Sequence, residues 1–254
     1  MIELYDSHCH LDAGEFDADR QRVLDRARAA GVFRQLIPAV SREAWPGLRR
    51  LCADNDGLRP AYGLHPMFLD RHQPTDLDEL ERWLATERPA AVGECGLDFF
   101  VEGLDPGQQR YYFERQLELA RAFDLPVVLH ARRAVDEVIN SLRRIGGLRG
   151  VVHSWSGSEE QARQLFALGF HLGIGGPVTY ERAKRLHRTV AGMPLEFLLL
   201  ETDAPDQPDA LHRGERNEPG RLPVVLEAVA RLRGQSPEAV AAATVANAVR
   251  LFGA

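Results

Sequence analysis

Leu4-Tyr5-Asp6-Ser7-His8-Cys9-His10 decides the reading of this chain: a short strand-like run that closes on two histidines. The same shape recurs downstream. Ala91-Val92-Gly93-Glu94 closes on a carboxylate. Pro126-Val127-Val128-Leu129-His130 and Gly150-Val151-Val152-His153 close on imidazoles, and Phe197-Leu198-Leu199-Leu200-Glu201-Thr202 runs into Asp203. Most strands end in turn residues. Strands that end in metal-binding side chains need an architecture that gathers their ends on one face, and a parallel barrel does so. The pattern predicts a buried metal centre and an enzyme.

Working outward, strand-like runs lie near 2–6, 35–40, 59–63, 90–94, 126–130, 150–153, 171–175 and 197–201. Their nearly continuous Val, Leu and Ile content suits parallel strands buried on both faces. Between them lie amphipathic segments at 17–30, 42–54, 76–86, 107–123, 134–145, 158–168, 180–190 and 222–233, and a last helix at 237–251. Phe113, Leu117, Ala120 and Phe123 form one helical stripe. Asp105-Pro106 with Gln108, Ser158 with Gln161, and Ser236-Pro237 read as helix starts. This alternation predicts an α/β protein, a single-domain (β/α)8 TIM barrel over residues 1–254. The irregular stretch from Ala204 to about Gly220 is rich in Pro, Asp and Arg, and a loop there would overhang the C-terminal face.

Apolar residues make up 44% of the chain, as in ordinary globular domains. No apolar run approaches the roughly 18 residues of a membrane span. The N-terminus enters a strand without a basic region and an apolar stretch, so no signal peptide and a cytoplasmic location are expected. Cys9, Cys52 and Cys95 cannot all pair and form no Cys-x-x-Cys unit, which fits a reducing compartment. The formal charge of −6 and pI of 5.9 argue against a broad non-specific nucleic-acid coat. They leave room for a local cationic site, because bound metal ions bring their own charge.

His8 and His10 are two apart, so in an extended strand both imidazoles share a face and Cys9 points away. A lone His-x-His is more often structural; its place on the first strand, two residues after Asp6, favours a ligand pair. Glu94 stands beside glycines that let backbone and ligand approach closely. A carboxylate can also bridge two cations. Cys95 should face away and is not assigned. His130 or His153 alone would read as a hydrogen-bonded core residue, but beside the other ligands both read as donors. Asp203 adds a second carboxylate. Mixed imidazoles and carboxylates suit Zn, Mn, Fe or Ni, and Mg where water completes the shell. His72, His171, His187 and His212 read as packing or surface residues. Arg213, Arg216 and Arg221 read as solvated loop charges. Trp155 belongs on the barrel rim, packed there or lining the pocket.

With these stretches in hand, the chain resembles the TatD family of metal-dependent hydrolases, within the amidohydrolase-like barrels. The matching segments are Asp6-Ser7-His8-Cys9-His10-Leu11-Asp12, Gly63-Leu64-His65-Pro66, Gly93-Glu94-Cys95-Gly96-Leu97-Asp98, His130-Ala131-Arg132, His153-Ser154-Trp155-Ser156-Gly157 and Glu201-Thr202-Asp203-Ala204-Pro205. Asn217-Glu218-Pro219 matches one more. The resemblance implies one metal on His8, His10, Glu94 and Asp203, and a second on Glu94, His130 and His153, with Glu94 bridging. It places His65 and Arg132 near a substrate phosphate. It implies two divalent ions (Mg, Zn or Mn) and 3′–5′ exonuclease action on DNA, single-stranded, or another phosphate or ester; in such a hydrolase Asp203, as ligand and nearby catalytic base, would orient or deprotonate the metal-bound water. Some members are D-aminoacyl-tRNA deacylases, so an ester or amide hydrolase is the alternative. A metal-binding protein without turnover is a third reading. One departure bears on substrate: Asp206-Gln207-Pro208 stands where the nuclease branch commonly has Tyr-Leu. A monomer without membrane contact is expected.

Overall fold

The computed structural model describes residues 1–253. Eight parallel strands follow one another in sequence order. They are β1 Leu4–Asp6, β2 Val32–Pro38, β3 Leu58–Tyr62, β4 Ala91–Asp98, β5 Val127–Arg132, β6 Gly150–Val152, β7 Phe170–Ile174 and β8 Leu198–Leu200. The seam between β8 and β1 is joined by backbone bonds just past the strands. Ser7 N–H donates to the Leu200 carbonyl at 2.9 Å, Asp203 N–H to that of His8 at 2.9 Å, and His10 N–H to that of Ala204 at 2.8 Å. The sheet is thereby closed into a barrel, and the same bonds set His8, His10 and Asp203 side by side.

Helices α1 Arg20–Ala29, α2 Trp45–Ala53, α3 Thr75–Glu87, α4 Pro106–Ala122, α5 Val135–Ile145, α6 Glu159–Ala167, α7 Lys184–Gly192 and α8 Leu222–Arg233 each follow a strand. A further helix, α9 Pro237–Phe252, follows α8. Strand alternation explains why neighbouring residues are all apolar. Leu4, Val127, Leu129, Leu198 and Leu200 face the helices, while Tyr5, Val128 and Leu199 face the barrel interior. Leu36, Ala61, Ala91 and Val151 complete that inner layer, and Ala248, Leu251 and Phe252 of α9 pack against it. The Tyr5 and Phe252 rings lie 6.4 Å apart, so α9 plugs the N-terminal end of the barrel.

The helix starts behave as their sequences require. The Ser158 hydroxyl accepts from Gln161 N–H at 3.2 Å while the Gln161 side chain accepts from Ser158 N–H at 2.8 Å. Asp105 caps α4 through Gln108 N–H at 2.9 Å, and Ser236 caps α9 through Ala239 N–H at 3.2 Å. Such caps contribute about 1 kcal/mol each. Among the described residues no helix is long and apolar enough to cross a membrane. Cys9, Cys52 and Cys95 are free thiols, with Cys9 and Cys95 buried in the layer between strands and helices.

Two strand ends differ from the sequence expectation. β1 stops at Asp6, so His8 and His10 lie beyond it rather than on it. Glu94 does not end its strand, because β4 continues to Asp98. That extension is held by pairing with β5, which matches Gly96 to His130 and Asp98 to Arg132 after an irregularity between Val92 and Cys95. Gly96 has φ +146°, and a Cβ there would fall 2.0 Å from the His130 carbonyl oxygen. The close approach that brings β5 against the Glu94 segment therefore requires glycine.

Candidate metal centre

All six expected ligand residues converge at the C-terminal mouth of the barrel. His8 Nε2 lies 3.1 Å from His10 Nε2 and 3.2 Å from Glu94 Oε2. His10 Nε2 is 3.3 Å from the same Glu94 oxygen. Asp203 Oδ1 stands 3.5 Å from His8 Nε2 and 3.8 Å from His10 Nε2. The other Glu94 oxygen, Oε1, lies 3.1 Å from His130 Nδ1 and 2.8 Å from His153 Nε2, and these two nitrogens are 3.3 Å apart. Two cages of donor atoms thus share one carboxylate, with one oxygen turned to each.

These separations fit divalent cations. Tetrahedral ligation with bonds of about 2.0–2.1 Å puts neighbouring donor atoms about 3.3 Å apart. Glu94 Oε2 is buried with no hydrogen-bond partner among the described residues, although imidazole nitrogens surround it. Two imidazole lone pairs 3.1 Å apart repel unless a cation or a proton lies between them. The geometry supplies three candidate ligand groups, His8 with Glu94 and His153, His8 with His10 and Asp203, and His65 with Glu94 and His130, so His65 joins the six expected residues.

Electrostatics agree with that chemistry. Burial alone would raise the Glu94 carboxyl, but His65, His153 and His8 outweigh it and hold the group well below the usual carboxylate range. Burial pushes His8 well below its ordinary value, helped by the His153 ring stacked 3.9 Å away. For His10, burial pulls downward but Glu94 and Asp203 win, and its pKa is raised to about 9. Burial raises the Asp203 carboxyl against the pull of His153 and His10.

The supporting groups were mostly outside the sequence reading. Asp98 Oδ2 accepts from His130 Nε2 at 2.8 Å. Burial would raise Asp98, yet His130 and the N–H groups of Phe100 and Val101 hold it down at about 2. An ionised Asp98 fixes the His130 tautomer so that Nδ1 offers its lone pair to the cage. A signal for it was present, since Glu94, Gly96 and Asp98 alternate along one strand face. Asp6 accepts from Thr202 N–H at 2.9 Å, Thr202 Oγ1–H at 2.6 Å and His8 N–H at 3.3 Å, tying the two sides of the seam. The Glu201 carboxylate accepts from Ser154 N–H at 2.5 Å. It lies against Gly173, where a Cβ would meet its oxygen at 1.9 Å.

The cages open into a cavity of about 790 Å³ whose lining includes His65, Arg132, Trp155, Pro205, Asp206 and Gln207. The loop after β8 forms one wall, as its composition suggested. His65 Nδ1 accepts from Met67 N–H at 3.1 Å, so its proton sits on Nε2 and is donated to Glu94 Oε1 at 2.9 Å. Burial lowers its pKa to about 4, and the ring is neutral. Arg132 is exposed at the rim, its guanidinium 3.7 Å from the centre of the Phe100 ring. Trp155 is buried in the cavity wall. His72, His171 and His187 bond to the carbonyls of His65, Gly150 and Val178, and His212 pairs with Asp209. Arg216 is paired with Asp19 and Arg221 with Glu215, both at 2.8 Å.

The family described as TatD related DNase matches residues 5–253. The uncharacterised metal-dependent hydrolase YjjV of Escherichia coli K12 is 39% identical, covering 99% of this chain and 98% of its own. A Cronobacter sakazakii protein named 3′-5′ ssDNA/RNA exonuclease TatD is 36% identical, covering 98% of this chain and 97% of its own. The crystal structure of YjjV, a TatD homologue, superposes with a TM-score of 0.95 at 37% identity, covering 100% of this chain and 99% of that one. With an eight-stranded barrel, a shared-carboxylate donor cluster and full-length relatives in agreement, the chain belongs to the TatD family of metal-dependent hydrolases.

Proposed function

We propose that this hydrolase is a deoxyribonuclease that removes nucleotides from the 3′ end of single-stranded DNA. The observation that carries the reading is the position of Arg132. Its guanidinium stands at the rim of the cavity that holds both donor cages, stacked on the exposed Phe100 ring. A guanidinium with no carboxylate partner among the described residues suits a phosphate, which it can grip through two hydrogen bonds. The Arg133 guanidinium lies over the same ring, 4.6 Å from its centre, so two guanidiniums stand together at this rim. The name of the Cronobacter relative supports the same substrate class.

His8, His10, Glu94 and Asp203 would hold one divalent ion, and Glu94, His130 and His153 a second. Mg, Zn or Mn in these cages would supply the positive charge that neutralises a phosphate and acidifies water. Arg132 would then orient the scissile phosphate over the cages. His65 keeps its single proton on Nε2, so it can donate to Glu94 or, on turning away from it, to a phosphate oxygen, but not to both. Asp203, raised by burial, is a suitable acceptor for the proton of the attacking water.

One observation favours a second reading. The chain carries a net charge of −6, which supplies no broad cationic track for a long polyanion. An ester or amide of compact size would use the same centre. The deciding experiment compares single-stranded DNA, duplex DNA and an ester and amide panel with metal-reconstituted protein. The expected result is metal-dependent release of mononucleotides, abolished by chelation. Turnover confined to esters or amides would replace the nuclease reading.

A further inference from the structure

The two oxygens of Asp203 have different surroundings. Oδ1 faces His8 and His10. Oδ2 faces Gln207, whose Nε2 makes a short hydrogen bond to it. The same amide is tied to the Ser154 hydroxyl, with Nε2 2.7 Å and Oε1 2.9 Å from Oγ. The orientation of the amide follows from chemistry. An ionised carboxylate only accepts, so the amide nitrogen must face Asp203.

Gln207 is itself held from several sides. Asn217 Nδ2 donates to the carbonyls of Thr202 and Asp206 at 2.9 Å and contacts that of Gln207 at 3.4 Å. A Cβ at Gly176 would fall 2.2 Å from the Gln207 carbonyl oxygen, so the loop packs flush against the segment after β7. Ser154 follows His153 directly, and its N–H is fixed by Glu201. A chain of hydrogen bonds therefore runs from Glu201 through Ser154 and Gln207 to Asp203, linking the ends of β6 and β8.

We propose that Gln207 is the positioning residue for Asp203. It occupies Oδ2, which would leave Oδ1 as the oxygen offered to a metal, and Ser154 keeps the amide in place. This inference rests on Asp203 being a metal ligand. Partners that orient a ligand commonly change metal affinity roughly 10- to 100-fold when removed.

The test uses metal-stripped full-length protein titrated with Mn²⁺ alone, by calorimetry. Gln207→Met keeps side-chain length and loses the donor. It should weaken Mn²⁺ binding at one site by roughly 10-fold or more. Ser154→Ala should weaken it less. The double variant should be no worse than Gln207→Met, because Ser154 acts through Gln207. If Gln207→Met does not fold, Ser154→Ala carries the test, and an unchanged affinity there overturns the proposal. Unchanged Mn²⁺ affinity in folded Gln207→Met overturns it too. So does an additive double-variant loss that tracks the melting temperature of the metal-free protein. Wild-type protein that binds Mn²⁺ but cleaves no DNA would end the nuclease reading and leave this one standing. In an active enzyme the Gln207→Met loss should fall on kcat, with KM little changed.

Discussion

The two ends of this barrel are built from the same strands and do opposite things. At the closed end, Tyr5, Ala91, Val128, Val151 and Leu199 form a buried layer covered by Leu251 and Phe252. A few residues further along the same chain segments stand His8, Glu94, His130, His153 and Asp203. One end gains its stability from apolar burial, with the Tyr5 hydroxyl as a buried polar group that has no partner among the described residues. The other buries charged and imidazole groups, and each is tolerable only because its neighbours are complementary. The lesson is a division of labour along one strand direction: the N-terminal end holds the fold, and the C-terminal end carries the chemistry.

The sharpest way to break this comparison is at Asp203. Asp203→Asn keeps size and one oxygen but loses charge and basicity. Turnover should fall about 100- to 10,000-fold, the usual worth of general-base catalysis. Metal content should fall only modestly, and the melting temperature should hardly move. Near-normal turnover with full metal occupancy would leave Asp203 a ligand only, with water activated by another group.

Glu94 tests whether the open end is one unit. Its two oxygens face different cages, so Glu94→Gln should weaken both sites, while His130→Ala should chiefly empty one. Metal counting on the two purified variants decides it, and equal losses in both would argue against a shared carboxylate.

The closed end should fail differently. Phe252→Ala removes a buried ring that packs on Tyr5. It should cost about 3–5 kcal/mol of stability. Metal affinity and KM should be unchanged below the unfolding transition, as denaturant melts and titrations would show. A matching loss of metal affinity would mean that the two ends are coupled.

The smallest effect is in pH. His10 and His153 hold their protons up to about 9 and about 10 in the metal-free protein. A metal held there would have to displace both protons, so affinity should keep rising with pH through neutrality and level off only near the higher value. Calorimetric titrations across the neutral and mildly alkaline range check the sign. A flat profile would remove the histidines from the ligand set.

Much of this was legible in the sequence. All eight strand runs and the helices between them have the expected order, because an apolar run buried on both faces leaves a strong local signature. The six candidate ligand residues stood out because His, Glu and Asp are costly where strands are buried. Less legible was Glu94, expected to close its strand. Nothing local says that Cys95 to Asp98 will pair with β5; that depends on Gly96 accepting the His130 backbone. The reading of α9 was complete as a helix and silent as a plug, since its apolar face finds its partner at the far end of the chain.

The sequence by itself determined the barrel class, the order of its elements, the capped helix starts and the identity of the donor residues. These follow from periodicity and residue chemistry, which act over a few residues. The tertiary structure decided how the donors are shared. It turned one Glu94 oxygen to each cage, set Asp98 behind His130 and tied Gln207 to Asp203 through Ser154. Those contacts join positions between 4 and 86 residues apart, and all but the one between Asp203 and Gln207, within a single loop, depend on where the closed barrel brings the ends of separate strands. Hydrogen bonds and ion pairs act over about 3 Å, so no spacing along the chain can specify them until the backbone has closed.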